Sequence, residues 1–223
     1  MQFDDLKTFG VTYNKFTRDD LEFLYRQVDL IRNNFGSAVP ANEELIGHID
    51  HEYFLPEQCR QQLETLVLPM VGAYLQEYPI YNRAKLSVLS DGAPIFLRDA
   101  WVNFQKKYEY NPVHDHGVDT IMGISFTTWT KIPKQIADGE EYKASALYNS
   151  SGVADGYLQF HFGQTGIRGL EELRPPFSKT VKPEVGKLYM FPSWCQHCVY
   201  PFEGKGERRT VAGNLNMFPH ANN

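Results

Sequence analysis

The run NPVHDHGVDT, residues 111–120, sets His114 and His116 one residue apart. In an extended strand side chains alternate between faces, so both imidazoles point one way and Asp115 the other. Imidazole is a common ligand of transition metals, and two rings aimed into one space predict a metal site. A third donor stands in FPSWCQHCVYPF, where His197 follows His116 by 81 residues inside another strand-like run. Three imidazoles on one face of an octahedron leave the other positions open, which is a catalytic arrangement, because a structural site is closed. Eleven residues further, past the turn-like FEGKGE, lies Arg208-Arg209-Thr210. In a hairpin that separation returns the chain alongside His197, and period two puts Arg208 and Thr210 on one face and Arg209 on the other, toward solvent. A buried guanidinium beside a hydroxyl suits a carboxylate held by parallel hydrogen bonds. Trp101, Asn103 and Gln105 share one face of the strand ahead of the histidine pair and are candidates for lining a pocket, with Tyr108 from the opposite face.

These residues need elements to carry them. FTRDDLEFLYRQVDLIRNNFG, 16–36, has Leu21, Leu24, Val28 and Ile31 at the spacing of one helical face, with Thr17 as N-cap, Asp20 at the capping-box position and Gly36 as the stop. A second helix begins after Pro56, shows Leu63, Val67, Met70, Val71 and Leu75, and ends before Pro79. From about residue 86 the texture changes to short runs rich in Val, Phe, Tyr, Trp and Thr between Gly, Pro and Asn/Asp clusters. The strand candidates are 85–90, 101–110, 120–130, 157–164, 179–183, 187–191, 195–202 and 208–218. Two helices followed by many short strands predict a mainly β protein, a sandwich or jelly roll with helices packed outside. Gly186 and Pro192 are expected to set turns at the ends of a strand, and the polar, Gly/Ser-rich stretch 131–156 reads as a lid or as a solvated insertion.

Composition narrows the partners. With 42% hydrophobic residues and 14% aromatics over 223 residues, the chain can bury one sizeable core, and a single domain is expected over 1–223, with a helical elaboration over about 1–82 and a β core over about 83–223. A net charge of −5 offers no basic field for a nucleic-acid backbone or an anionic membrane. The start, MQFDDLKTFG, has neither a basic leader nor an apolar run, so a cytoplasmic protein is expected. Cys59, Cys195 and Cys198 are too few for a disulfide framework, and Cys195-Gln-His-Cys198 lacks a second pair to complete a zinc site, so all three read as structural. His48, His51, His161 and His220 fall outside the pattern and read as surface or packing residues.

WVNFQKKYEYNPVHDHG, GKLYMFPSWCQHCVYPF and ERRTVAGNLNMF resemble the 2-oxoglutarate, iron(II)-dependent oxygenases, in particular those of tailed bacteriophages, including phages of cyanobacteria; NEELIGHIDHEYFLPE, 42–57, resembles the family's helical lead-in. The resemblance implies a double-stranded β-helix of the jelly-roll, cupin-like type, with His114, His116 and His197 binding iron(II). It implies that Arg208, assisted by Thr210, holds the distal carboxylate of 2-oxoglutarate. The cosubstrate would chelate the metal through its other end, O₂ would take the remaining position, and oxidative decarboxylation would drive hydroxylation of a substrate that the sequence does not name. For a phage-encoded enzyme the location would be the host cytoplasm. The wider superfamily has aspartate where His116 stands, which leaves this site one charge more positive; Asp115 and Asp119 are alternative ligands if a bulge re-aims the strand, with His116 placed ahead of either. Two rival readings are a three-histidine metal dioxygenase or hydrolase that does not use 2-oxoglutarate, and a non-enzymatic jelly-roll structural or binding module of a phage.

Overall fold

The computed structural model describes residues 10–77, 95–117, 122–138, 155–162 and 178–217. The expected strand at 85–90, residues 139–154 of the proposed lid, Asp119 and His220 lie outside the described residues. Among the described residues, ten strands form two antiparallel sheets: β1 (Thr12–Lys15), β2 (Glu52–Phe54), β3 (Ile95–Gln105), β4 (Asn111–His114), β5 (Met122–Lys131), β6 (Leu158–His161), β7 (Ser178–Val181), β8 (Lys187–Pro192), β9 (Gln196–Val199) and β10 (Arg208–Met217). The major sheet runs β1-β8-β5-β10-β3-β2 and the minor sheet β4-β9-β6-β7. This is the two-sheet jelly-roll core expected from the strand pattern, the double-stranded β-helix that the resemblance implies, with α1 (Glu22–Asn33) and α2 (Glu57–Glu77) packed on the outer face of the major sheet and a short α3 (Lys134–Ala137) after β5. Among the described residues no helix is long and apolar enough to cross a membrane.

Period two divides the work of β10, the strand at the centre of the major sheet. Val211 and Leu215 point outward and pack with Leu24, Val28, Leu63, Val67 and Phe104 in the core beneath the helices. Burial of such side chains is worth about 1.5–3 kcal/mol each and holds the sheet flat against α1 and α2. The intervening Arg208, Thr210, Ala212 and Asn214 face the cavity between the sheets. Gly213 has no room for a side chain, since a Cβ there would stand 2.8 Å from the Asp99 carbonyl oxygen.

Several elements differ from expectation. Thr17 and Asp20 do form reciprocal hydrogen bonds, Thr17 N–H to Asp20 Oδ2 at 2.8 Å and Asp20 N–H to Thr17 Oγ1 at 3.2 Å, but they close a turn and the regular helix begins at Glu22. It ends at Asn33, where Asn34 leaves helical geometry, so Gly36 is not the stop and lies in a short 3-10 turn. α2 agrees with expectation, running from Glu57 through Pro69 to Glu77. β3 begins at Ile95 and ends at Gln105, because Tyr108 turns the chain at φ +68. Tyr108 is exposed and does not line the pocket. The hairpin expected between His197 and Arg208 does not form: β9 lies between β4 and β6 in the minor sheet, and β10 between β5 and β3 in the major one. The two residues face each other across the cavity instead. Arg209 does not face solvent either. Its side chain is 12% exposed and pairs with Glu207 at 2.8 Å and with Asp29 of α1.

Candidate metal centre

β4 and β9 pair with His114 opposite His197, which brings two imidazoles to 4.3 Å between ring centres. His116 reaches the same place by another route. β4 stops at His114, Asp115 Oδ1 accepts the Gly117 N–H at 3.1 Å, and the His116 N–H donates to the Ser193 carbonyl at 3.0 Å. The turn, rather than strand alternation, therefore aims His116, whose ring centre lies 4.9 Å from that of His197. One ligand atom from each of the three histidines falls within 4.8 Å of the others. Asp115 is exposed, its carboxylate engaged in the turn, and is not part of this group.

Each ring has its Nδ1 committed. His114 Nδ1–H donates to the Pro112 carbonyl at 2.8 Å and His197 Nδ1–H to the Cys195 carbonyl at 2.9 Å. Carbonyl oxygens only accept, so both rings carry the proton on Nδ1 and keep the Nε2 lone pair free. His116 Nδ1–H donates to Asn214 Oδ1 at 2.7 Å, which also accepts the Ser125 hydroxyl at 2.8 Å, while Ser193 and Ser125 share a hydrogen bond at 2.8 Å. Metal-binding histidines commonly carry such a hydrogen bond on the second nitrogen, because it sets tautomer and ring orientation. Burial, and then the neighbouring imidazoles, pushes the His197 pKa far down, and burial with His114 brings His116 to about 4. His114 is lowered by burial as well. All three rings are neutral ligands at neutral pH. Asn214 is missed from sequence, although counting Arg208, Thr210, Ala212, Asn214 along one face of the strand reaches it.

The opposite end of the cavity is cationic. Arg208 is 2% exposed; its Nη1 donates to Gln105 Oε1 at 3.0 Å, and its Nε has no partner. Gln105 spends both amide protons on the Glu109 and Tyr200 carbonyls, at 2.5 and 3.2 Å, so its oxygen is turned to Arg208. That oxygen is neutral. Among the described residues no carboxylate pairs with the guanidinium, and burial brings its pKa down to about 9. The charge sits 5.5 Å from the Trp129 ring, whose Nε1–H is buried without a partner, as is Thr210 Oγ1. A buried charge costs several kcal/mol unless an anion meets it. The cavity of about 230 Å³ that joins the two ends includes Trp101 and Asn103 in its lining.

The remaining candidates take other parts. Cys59, Cys195 and Cys198 are buried and unpaired, and burial pushes the thiols of Cys59 and Cys195 up to about 12, so neither is a thiolate at neutral pH. His48 stacks on Tyr110 at 4.8 Å, His51 on Phe35 at 4.2 Å, and His161 Nε2 lies 3.5 Å from Cys198 Sγ.

Residues 99–214, which contain the three histidines, Arg208 and Asn214, match the protein-family model described as "Putative 2OG-Fe(II) oxygenase". Among solved structures, a prolyl-4-hydroxylase of Pseudomonas putida aligns over 97% of this chain and 96% of its own, with TM-score 0.55 and 18% identity. A Trichoplax adhaerens prolyl hydroxylase in complex with a hypoxia-inducible-factor peptide aligns over 97% and 86%, with TM-score 0.54 and 12% identity. HygX of Streptomyces hygroscopicus, solved with nickel and 2-oxoglutarate, aligns over 97% and 87%, with TM-score 0.51 and 12% identity. At these identities the likeness is one of fold. No curated protein matches the chain.

Proposed function

The chain belongs to the 2-oxoglutarate- and iron(II)-dependent oxygenase family, and on that premise we propose that His114, His116 and His197 hold iron(II) while Arg208 and Thr210 hold the distal carboxylate of 2-oxoglutarate. Iron with 2-oxoglutarate supplies oxidative decarboxylation coupled to oxidation of a substrate C–H bond, so the proposed activity is that of a hydroxylase. The single observation that carries this reading is the fully buried Arg208 guanidinium without a counter-anion among the described residues, in the same cavity as three neutral imidazoles with free Nε2 atoms.

The residues fit the groups they would hold. Pro112, Cys195 and Asn214 fix the three rings as Nδ1–H tautomers, which turns the lone pairs toward one point. Gln105 orients the guanidinium without neutralising it, leaving its charge for the ligand. Thr210 offers a hydroxyl proton beside it on the same face of β10. Phe191, buried in the lining, walls the cavity from water, and the buried Trp129 ring backs the Arg208 guanidinium, which strengthens the charge pairing. Three neutral ligands leave the metal's full double charge for a dianionic cosubstrate. The finer likeness to tailed-phage members rests on the sequence runs alone.

Anaerobic addition of iron(II) and 2-oxoglutarate tests the assignment through the visible charge-transfer absorption of a chelated complex. The expected result is a band that His197→Ala abolishes and that Arg208→Ala shifts to at least tenfold higher 2-oxoglutarate; a band indifferent to both changes refutes it. The third imidazole in place of a carboxylate is what favours a dioxygenase that does not use 2-oxoglutarate. Oxygen consumption that proceeds without 2-oxoglutarate and yields no succinate decides for that rival.

A further inference from the structure

The cavity has a third end that neither the metal nor the cosubstrate uses. Strand register places Glu52 on β2 opposite Asn103 on β3, and Asn103 opposite Thr210 on β10, so one row of the major sheet runs from the cationic pocket to the sheet edge. At that edge the polarity reverses. Glu52 is 0% exposed, and both its carboxylate oxygens are buried without a hydrogen-bond partner, as are Asn103 Oδ1 and Asn111 Oδ1. All of these atoms only accept when the carboxyl is ionised. Gly47 keeps the space between two of them open: a Cβ there would stand 2.6 Å from Glu52 Oε1 and 2.8 Å from Asn111 Oδ1. Glu52, Asn103, Asn111 and Gly47 all line the cavity that holds the three histidines.

We infer that Glu52, Asn111 and Asn103 form a receptor for a cationic N–H group, an ammonium or guanidinium, carried on an aliphatic arm of the prime substrate. A group with several N–H donors and a positive charge satisfies three orphaned acceptor side chains at once, which a neutral hydroxyl with its single proton does not. The surroundings agree in sign. Glu44 and Asp115 also border the cavity, and its one cation besides Arg208, Arg98, is engaged by Asp99 at 2.6 Å. Burial, with help from Glu109, raises the Glu52 pKa to about 7, the mark of a carboxylate lacking the positive partner that would hold it ionised. Asn111 precedes His114 by three residues on β4, roughly 10 Å at about 3.3 Å per residue. The cation therefore sits several bonds from the carbon that is oxidised.

The cation receptor stands on geometry alone; its role as the prime-substrate anchor rests on the oxygenase reading of the metal centre. Calorimetric titration of the full chain at pH 8 with hexylammonium, hexanol and hexanoate tests the receptor. Hexylammonium is expected to bind at least tenfold more tightly than the other two, and Glu52→Gln to abolish that preference. Gly47→Ala, whose methyl enters the acceptor space at a backbone angle any residue tolerates, is expected to weaken hexylammonium at least tenfold. A lysine-containing tripeptide that binds more tightly than hexylammonium assigns the arm to a peptide, and the reverse assigns it to a small amine. Equal affinity for the three hexyl probes overturns the inference, as does a preference that survives both substitutions. The iron(II)–2-oxoglutarate band is read separately: selective ammonium binding without a band overturns the substrate role together with the oxygenase reading, whereas a band with indiscriminate binding overturns the receptor alone.

Discussion

At the scale of single residues, the centre is ordered before any metal arrives, because each Nδ1 proton is already given to a fixed acceptor. His116 alone has side chains at its Nδ1, Asn214 Oδ1 at 2.7 Å and Ser125 Oγ at 2.9 Å, and Asn214, the nearer, is the natural point of test. Asn214→Ala is expected to lower metal affinity about 10–100-fold, read by competition with a chromophoric chelator, and Asn214→Asp to restore most of it. Glu52 gives a pH-dependent expectation. An acid whose pKa rises from 4.5 to about 7 on folding costs nothing below the first value, and its cost is complete above the second. Glu52→Gln removes that cost, so the variant should match wild type at pH 5 and exceed it by on the order of 2 kcal/mol at pH 8 in paired urea titrations.

At the scale of elements, the strand before Arg208 is tied to the helix layer. Glu207 accepts from Arg32 of α1 at 2.7 Å and from Arg209 at 2.8 Å, and Arg209 reaches on to Asp29. Glu207→Ala leaves the mostly buried Arg209 without the more buried of its two carboxylate partners and should cost about 2–3 kcal/mol of unfolding free energy by urea denaturation. The start of β10, and with it the 2-oxoglutarate affinity, should loosen as well. The long strands β5 and β10 are legible in the sequence because two-residue alternation and β-branched residues mark them over many positions. β1 and β2 are only four and three residues long and take their identity from pairing with β8 and β3, which no local pattern reports. The convergence of His114, His116 and His197 is also readable. The route is not, since the turn at Asp115–Gly117 and the placement of β9 and β10 in different sheets depend on tertiary pairing.

At the scale of the whole molecule, the major sheet has two faces with opposed duties: an apolar one under α1 and α2, and one lined with buried Arg208, Thr210, Asn103 and Glu52 facing the cavity. The second face costs stability that ligands return. With manganese(II) in place of iron and 2-oxoglutarate at 100-fold its Kd, stability should rise by about 2.7 kcal/mol. Arg208→Met should erase the 2-oxoglutarate part of that rise in calorimetric melts while leaving the unliganded chain no less stable, because an apolar residue needs no counter-anion. Trp129, its indole buried against the Arg208 guanidinium, gives this arrangement an optical side. A carboxylate that docks there offsets the guanidinium's field across the ring, so intrinsic fluorescence can report cosubstrate arrival with no label and no redox-active metal. Trp194, 54% exposed, and Trp101 of the cavity lining would supply the background, and Trp194→Phe and Trp101→Phe would silence it.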